Sequence, residues 1–400
     1  MKAIWRSKET FRIDEATLLL LAYVIYVVVE ILNSSTISRN PAWDTIYWGA
    51  VIVVLVLMVP TMLLSVNKKI SLKRILICLG LALLGILVLR LNQRGRVMVL
   101  STAFMLLGMT LPQEKVLKSY LKAAIPAVLL VLLLYFLKIL PFEESIDEGR
   151  HRLFMGFTYI TRLPNYFFHI LLAWLALRKK KITVVSTIVI LLMNYWIDLK
   201  TDTRAVYYVV YLLMAVIWLE RVWPGLFRGL VFKYGAIWIM PILAIVAIGI
   251  TMNYSPSKGW MANLDGILSG RLRLGYRAIQ VYGIPIFGRE TEWASGANQG
   301  GNYFYVDSSY VNIMLTFGVA VLVLLIIGFM NLMRNSYEQG EMGMCIAIVF
   351  LAIHSATDPQ LFDLRHDPFL LLLVGASVER IKKRRGIGRQ RKKDLFVANR

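Results

Sequence analysis

Long apolar segments recur along the whole chain and alternate with short polar or charged ones. Typical runs are "TLLLLAYVIYVVV", "AAIPAVLLVLLLYFL" and "VAVLVLLIIGFM". A helix crosses a hydrocarbon core about 30 Å thick with roughly 20 apolar residues, and many runs approach that length. The pattern predicts an all-α fold, a polytopic membrane helical bundle of about 12 transmembrane helices.

The predicted helices are bounded by polar breaks in the sequence. They cover residues 17–33, 45–66, 75–91, 97–112, 123–141, 165–178, 182–197, 205–220, 234–252, 308–332, 343–357 and 367–379. We therefore expect a cytoplasmic N-terminus over 1–16, one transmembrane domain over 17–379 and a basic tail over 380–400. The longest polar connection, 253–307, is predicted to be a large extracytoplasmic loop.

The composition agrees with a membrane domain, since 58% of the residues are hydrophobic and the mean hydropathy is +0.63. No polar stretch is long enough for a separate soluble domain. The two cysteines, Cys78 and Cys345, lie in apolar segments without metal-ligand spacing, so we expect small buried side chains and no disulfide or zinc. No metal or other cofactor is expected.

The net charge of +21 is distributed in a way that predicts orientation. Most of the 45 Lys and Arg residues fall on one side when the N-terminus is placed in the cytoplasm, and an even number of spans then puts both termini there. The basic tail "ERIKKRRGIGRQRKK" would face anionic lipids of the cell membrane. No nucleic-acid partner is expected.

The basic residues predicted outside are nearly all arginines, which runs against the usual topology rule. They are concentrated at Arg90, Arg94, Arg96, Arg150, Arg152, Arg162, Arg204, Arg271, Arg273, Arg277 and Arg289. A guanidinium binds phosphate oxygens through a planar fork of donors, so an anionic, phosphorylated ligand is one interpretation. The alternative is that these arginines pair with nearby acids, as in "FEESIDE", or snorkel to headgroups.

The middle of the large loop, "ILSGRLRLGYRAIQVYG", predicts a short amphipathic helix. Leu272, Tyr276 and Ile279 share one face, with Arg273 and Arg277 one step round. A turn, "GIPIFGRE", and a polar Gly-rich stretch follow. The loop also carries Trp260, Trp293, Tyr303 and Tyr305 with Asn298, Gln299 and Asn302, which suit either a carbohydrate site or an interfacial belt.

Three motifs in order carry a family resemblance: "TDTR" after a span, "SGRLRLGYRAIQVYGIPIFGRE", and "DSSYVNIMLTFG" opening the next span. Over residues 150–320 the chain resembles the O-antigen polymerase (Wzy) family, in particular the exopolysaccharide and capsule polymerases of Gram-positive bacteria, and more distantly the O-antigen ligases. The resemblance implies a glycosyltransferase of the C type (GT-C-like) that uses no metal.

The reaction implied by the resemblance transfers a growing polysaccharide from undecaprenyl pyrophosphate to the non-reducing hydroxyl of a lipid-linked repeat unit, with release of undecaprenyl pyrophosphate. Its partners would be the undecaprenyl-pyrophosphate-linked oligosaccharide, a flippase and chain-length regulator proteins. "TDTR" makes Arg204 the matching first arginine, and "SGR" followed by "FG" makes Arg271 the second.

The ligases have a histidine, then Asn, Ser or Gln, nine residues and a glycine. This chain reads Asp307, Ser308, nine residues and Gly318, so the matching residue is an aspartate that serves either as base or as a sugar-orienting acceptor. We predict Asp307, Arg204 and Arg271 as catalytic, since a base and fixed cations suit loss of a hydroxyl proton and departure of pyrophosphate.

Further residues are predicted to bind substrate. They are Arg289 in the phosphate clamp, with Arg273 and Arg277, then Tyr310, and Arg150 and Arg162 near "GFTYITRLPN", which resembles a family element that ends in Pro-Asn. His354 is a rival to Asp307 as base and also a candidate binding residue, because "HSATDPQLFDLRHDPF" places His354, Asp358, Asp363 and His366 near a span end.

Two other functions stay open. A lipid-oligosaccharide flippase or transporter is a different class, although transporters place charges at the midplane of broken helices and often repeat their halves, which this sequence does not show. An O-antigen ligase-like transferase is the alternative within glycosyl transfer. A cytoplasmic sugar-nucleotide transferase is disfavoured, because the chain has no Asp-x-Asp motif.

Overall fold

The computed structural model describes residues 14–66, 72–92, 95–147, 150–178, 182–294 and 303–378, without the side chains of 62–66, 72–78 and 95–96. Several predictions therefore lie outside the described residues. They concern the N-terminal segment 1–13, the tail 379–400, the side chains of Cys78, Arg94 and Arg96, and the amides of Asn298, Gln299 and Asn302.

The described chain is mostly helical. Its helices are α1 (Glu15–Asn33), α2 (Pro41–Val66), α3 (Leu72–Leu91), α4 (Gly95–Leu107), α5 (Gln113–Phe136), α6 (Arg162–Leu177), α7 (Val184–Thr201), α8 (Arg204–Val222), α9 (Pro224–Arg228), α10 (Leu230–Met252), α11 (Gly259–Ile267), α12 (Arg271–Tyr282), α13 (Ser309–Thr316), α14 (Val319–Glu338) and α15 (Met342–Ser355). Short 3₁₀ helices cover Thr36–Arg39, Gly108–Thr110 and Pro368–Leu372.

Within the described residues, seven helices are long and apolar enough to cross a membrane: α1, α2 over Pro41–Thr61, α5, α7, α8, α10 and α14. Shorter apolar helices cover Leu79–Leu91, Val97–Thr110, Met342–Ser355 and Pro368–Val378. Several helices carry large apolar residues that are each more than half exposed, including Leu83, Val185, Leu192, Tyr208 and Ile245. Apolar exposure on this scale is typical of lipid-facing surfaces, so the architecture fits an all-α membrane bundle.

The centre of the bundle is formed by α6 and α15, which pack against each other. Both helices are buried on nearly every side, because their sequences are apolar almost all round. α6 also packs on α5, and α5 on α1. Polar residues on these two central helices, such as Asn165, His169 and His354, are consequently buried in the protein.

The apolar run 308–332, predicted as one span, is two helices, and that prediction is wrong. α13 ends at Thr316 and α14 begins at Val319, with Gly318 between them at φ 97°. A Cβ atom on Gly318 would lie 2.3 Å from the Ile286 carbonyl oxygen, so only glycine fits this junction. Continuous hydrophobicity hides the break, because the buried α13 and the start of α14 are both apolar.

The loop after α12 packs against this break backbone to backbone. The amides of Val319 and Ala320 donate to the carbonyls of Pro285 and Ile286, at 3.0 Å each. Gly288, at φ 89°, approaches so closely that its Cβ would meet the Thr316 carbonyl oxygen at 2.5 Å. The "GIPIFGRE" turn is therefore docked on the bundle.

The predicted amphipathic helix is present as α12. Leu272 and Ile279 are buried, and Arg273 and Arg277 are exposed, as the pattern predicts. Gly275 packs directly on α10, where an added Cβ would lie 2.7 Å from the Thr251 methyl group. The preceding helix, α11, was not predicted.

Two smaller differences concern the connections. The helix predicted over 123–141 begins ten residues earlier in the chain, as α5 at Gln113, so all of "QEKVLKSYLK" is helical. Residues after α5 form an antiparallel hairpin of β1 (Glu144–Asp147) and β2 (Arg150–Leu153), in which Asp147 pairs with Arg150. The hairpin presents Arg150 to the neighbouring end of α7.

Candidate functional site

The position of Arg271 is determined by the corner between α11 and α12. Ser269 and Gly270 have positive φ angles of 55° and 81°, which turns the chain sharply before α12 begins at Arg271. The buried Asp265 accepts a hydrogen bond from the Arg273 amide at 3.0 Å and one from the Tyr254 hydroxyl at 3.3 Å. A carboxylate at a helix N-terminus satisfies free amides and the helix dipole, so this contact orients α12.

Asp307 lies at the other end of the loop, two residues before α13. Its neighbour Val306 is buried, and the Val306 carbonyl accepts from the side-chain amide of Asn312 at 2.9 Å. Nε of Arg271 donates to Oδ2 of Asp307 at 3.0 Å, and each side chain is 21% exposed. The guanidinium of Arg271 makes no other hydrogen bond among the described residues. Two residues that the sequence predicts as catalytic are thus in direct contact.

The carboxyl of Asp307 holds its proton more tightly than an ordinary aspartate. Its pKa is raised to about 6, mainly by burial; the charge of Arg271 opposes this rise, and the charge of Asp358 adds to it. A carboxyl that titrates near neutral pH is well suited to accept a proton from a hydroxyl and to release it again.

Asp358 reaches this site through the turn that follows α15. The Asp358 carbonyl accepts a hydrogen bond from the Ser309 hydroxyl, which in turn accepts from the Leu361 amide at 3.1 Å. In its side chain, Oδ1 accepts from the Asn165 amide group at 3.0 Å. The turn is therefore tied both to the start of α13, beside Asp307, and to α6.

His354 lies behind Asp358 and away from solvent. Its Nε2 is 3.7 Å from Oδ2 of Asp358, and its side chain is only 2% exposed. The ring packs against Phe168 at 4.5 Å and against His169 at 5.8 Å, between ring centroids. The structure thus brings the two predicted bases into one cluster, with Asp307 at the more accessible position.

Two tyrosines line the same cluster. The pKa values of Tyr159 and Tyr303 are both raised, first by burial and next by the negative charge of Asp307. Both hydroxyls stay protonated at neutral pH and lie beside the carboxyl. They are additional hydrogen-bonding groups for a ligand hydroxyl or a phosphate oxygen.

Arg162, at the start of α6, belongs to a neighbouring charged group. Its Nε is buried without a hydrogen-bond partner in the described structure, and its pKa is lowered by burial and by the nearby charge of Arg365. Arg365 donates to Asp363 at 2.7 Å and lies 3.5 Å from Glu30. His366 stacks on Tyr166 at 4.4 Å, and burial lowers its pKa to about 4.

Tyr310 has a different environment from the one predicted. The residue is fully buried, and its hydroxyl donates to the Ala352 carbonyl at 2.7 Å. This bond joins α13 to α15. In the described structure, Tyr310 therefore contacts the bundle rather than an accessible surface.

Arg150 and Arg204 form a second cluster around Asp202, the C-cap residue of α7. Asp202 has φ 45° and accepts from Nε of Arg150, whose Nη2 also donates to the Asp202 carbonyl at 2.6 Å. The hydrogen bond from Arg150 lowers the pKa of Asp202. Nε of Arg204 is 3.5 Å from the same carboxylate, and 67% of its side chain is exposed. These contacts of Arg150 and Arg204 are made with Asp202, whereas Arg271 contacts Asp307.

Arg289 lies at an open pocket of about 400 Å³. The pocket is lined by Leu91, Tyr282, Gly283, Ile284, Pro285, Gly288 and Arg289. Nη1 of Arg289 donates to the Tyr282 carbonyl at 2.9 Å. Beneath it, the buried Asn92 donates to the carbonyls of Arg289 and Thr316, at 2.9 and 2.8 Å. An exposed guanidinium thus stands beside an apolar wall at the end of α3.

Arg273 and Arg277 lie on the exposed face of α12. The guanidinium of Arg277 stacks over the Phe304 ring at 5.1 Å. Phe304 belongs to an aromatic group with Tyr282, Trp293 and Tyr305, whose neighbouring ring centroids are about 6 Å apart. These contacts attach the far side of the large loop to α12.

Sequence patterns did not indicate Asn165, Tyr159 or Asn92 as parts of these clusters. For Asn92 the signal was its position near the end of an apolar stretch, whereas Tyr159 and Asn165 lie in the "GFTYITRLPN" element. Arg365 was also missed, although it adjoins Asp363 and His366, which were noted. No three His, Cys, Asp or Glu side chains within the described ranges are arranged to hold a metal ion.

No family model matches the chain, and no curated protein or solved structure matches it either.

Proposed function

We propose that the protein is a membrane glycosyltransferase, a polysaccharide polymerase that acts on lipid-linked repeat units. The observation that supports this most is the Arg271–Asp307 contact, which pairs a guanidinium with a carboxyl of raised pKa at a part-buried position. Transfer from a pyrophosphate needs both groups, a cation for the leaving phosphate and a base for the acceptor hydroxyl.

In the proposed reaction, the non-reducing hydroxyl oxygen of the incoming repeat unit attacks the anomeric carbon of the growing chain. The bond between that carbon and the pyrophosphate oxygen breaks, and its electron pair leaves with undecaprenyl pyrophosphate. The hydroxyl proton goes to the Asp307 carboxylate and then to solvent. The hydroxyl attacks the face opposite the departing pyrophosphate, so this single displacement, assisted by one base, inverts the configuration at the anomeric carbon.

Arg271 stabilises the negative charge that develops on the departing pyrophosphate. Its position at the start of α12 is supported by the Asp265 contact, so the guanidinium needs little rearrangement during the reaction. Arg289 stands beside an apolar wall, an arrangement that suits a phosphate attached to a lipid chain. Arg204 and Arg150 are proposed as a separate patch that binds the second lipid-linked substrate.

The proposed setting is a GT-C-like bundle of about twelve spans in the cell membrane, with both termini cytoplasmic and the site on the outer face. The seven long helices, the four shorter apolar helices and α6 make up the twelve in this assignment. Residues 253–307 form the extracytoplasmic loop, and the reaction is independent of metal ions. A flippase would supply the substrate, and a chain-length regulator would act on the product.

The test is polymerisation by the purified protein in lipid, with its undecaprenyl-pyrophosphate repeat unit and excess EDTA. Wild type is compared with Arg271→Lys and Asp307→Asn. Matched controls are Arg228→Lys and Asp44→Asn, which make the same chemical changes at exposed positions. We expect a ladder of products from wild type and both controls, and none from the two site variants although they remain folded.

Other outcomes point to other functions. Full activity in both site variants contradicts the assigned roles. Transfer of preformed polysaccharide to a different acceptor, without polymerisation, identifies a ligase. Movement of the lipid-linked unit across vesicle membranes without any new glycosidic bond identifies a flippase.

A further inference from the structure

Asp358 is held on every side by the bundle. Oδ1 accepts from Asn165 of α6, Oδ2 lies 3.7 Å from Nε2 of His354 of α15, and the main-chain carbonyl accepts from Ser309 of α13. The residue is 4% exposed. A carboxylate with both oxygens directed into the protein is unable to turn toward a ligand without breaking these contacts.

The same contacts place Asp358 next to Asp307. Ser309 is two residues after Asp307, and its hydroxyl connects the start of α13 to the Asp358 turn. The charge of Asp358 acts directly on the Asp307 carboxyl. A second carboxyl group in a part-buried site opposes the ionisation of Asp307, so Asp307 holds its proton more tightly.

Resting on the proposed function, we propose that Asp358 is a positioning residue that makes Asp307 a stronger base, while His354 and Asn165 hold Asp358 in place. Asp307 alone touches the acceptor hydroxyl and takes its proton. Asp358 takes no part in this proton transfer.

The other charged or titratable groups around Asp307 fit this arrangement. Arg271 of α12 offsets one of the two negative charges, and Tyr159 and Tyr303 contribute neutral hydroxyls. Behind Asp358, the ring of His354 faces Phe168 and His169. With 2% of its side chain exposed, His354 is too enclosed to contact a sugar, so a role through Asp358 accounts for its position better than a role as base.

The variant Asp358→Asn tests the proposal, because it keeps the shape and the oxygen that Asn165 binds but removes the charge. We expect the acid limb of kcat/KM to move down by about one pH unit and kcat to fall, while KM for the lipid-linked acceptor stays within about twofold. Asp44→Asn, at an exposed position, is the matched control and should leave the limb unmoved.

A second measurement does not depend on turnover. The infrared band of the protonated Asp307 carboxyl, assigned by its loss in Asp307→Asn, is titrated in the purified protein in lipid without substrate. The pH at the midpoint of this titration should be lower in Asp358→Asn by about as much as the acid limb of kcat/KM moves. If Asp358→Asn does not fold, Asn165→Ala serves instead, because Asp358 then loses a donor that holds its carboxylate in place. The Asp307 band should then shift down by a smaller amount.

The outcomes separate the two proposals. An unmoved band and an unmoved acid limb overturn the role of Asp358, even if wild type polymerises. A band that moves while wild type forms no polymer supports the coupling of the two carboxyls and contradicts the proposed function. A rise in KM without a fall in kcat in Asp358→Asn also overturns the inference, because it indicates direct substrate binding.

Discussion

Nε of Arg271 and Oδ2 of Asp307 are 3.0 Å apart, although 36 residues separate them in the chain. The contact joins the start of α12 to the residue that leads into α13. The two ends of the segment between them are therefore held together by a cation and a proton acceptor. Most of the functional predictions depend on this pair.

The pH dependence of polymerisation should report the ionisation of Asp307. Because a base must be deprotonated to act, kcat/KM should fall about tenfold per pH unit below pH 6, the approximate pKa of Asp307, and level off above it. Asp307→Asn should lower the rate by about 10²-fold or more and abolish this limb. The check is a pH profile of initial rates. A limb that persists in Asp307→Asn assigns it to another group.

Arg271→Gln should shift the acid limb of kcat/KM to higher pH, opposite to the shift expected for Asp358→Asn. Arg271 lowers the pKa of Asp307, so its loss should shift the acid limb to higher pH. The loss of charge stabilisation on the leaving group should also reduce kcat by about 10²-fold. Arg228→Gln, at an exposed position of α9, is the matched control. A drop in kcat without any shift of the limb would show that Asp307 is not the titrating base.

Arg204 and Arg150 should behave differently although both contact Asp202. Arg204 is largely exposed and its ion pair is long, so Arg204→Ala should change the free energy of unfolding by less than about 1 kcal/mol. Arg150 donates twice to Asp202, so Arg150→Ala should be more destabilising, by about 1–3 kcal/mol.

Unfolding in detergent and the KM for the lipid-linked substrate separate these effects. If Arg204 binds phosphate as proposed, Arg204→Ala raises KM or lowers kcat about tenfold with stability retained. Unchanged kinetics would remove Arg204 from the site.

The junction between α13 and α14 should tolerate no side chain. Gly318→Ala would place a Cβ 2.3 Å from the Ile286 carbonyl oxygen at φ 97°, so we expect destabilisation by more than about 3 kcal/mol or loss of folded protein. Gly340→Ala is the matched control, because Gly340 also has positive φ, at 73°, but open space around it.

That control should cost only about 1–2 kcal/mol, the ordinary penalty for alanine in the left-handed region. Thermal unfolding of the purified variants provides the measurement. Equal stability of Gly318→Ala and Gly340→Ala would contradict the close backbone contact.

The sequence was a good guide to elements whose signal is local. Apolar runs located the long helices, and the spacing of Leu272 and Ile279 located α12 and its buried face. The break before α14 was hidden because its cause, the approach of Ile286 to Gly318, is a contact between distant segments. For the same reason the spacing of residues could not show that Asp358 and Asn165 meet beside Asp307.

The docking of α12 has a practical consequence for engineering. The helix is fastened by Asp265 at its start, by Gly275 on α10 and, beyond its end, by Gly288 on the α13–α14 junction. On its exposed face, the side chain of Arg273 lies outside these attachments, whereas Arg277 stacks over Phe304. A library that varies position 273 should therefore leave the helix in place, while the glycines, Asp265 and Arg277 are positions to keep constant.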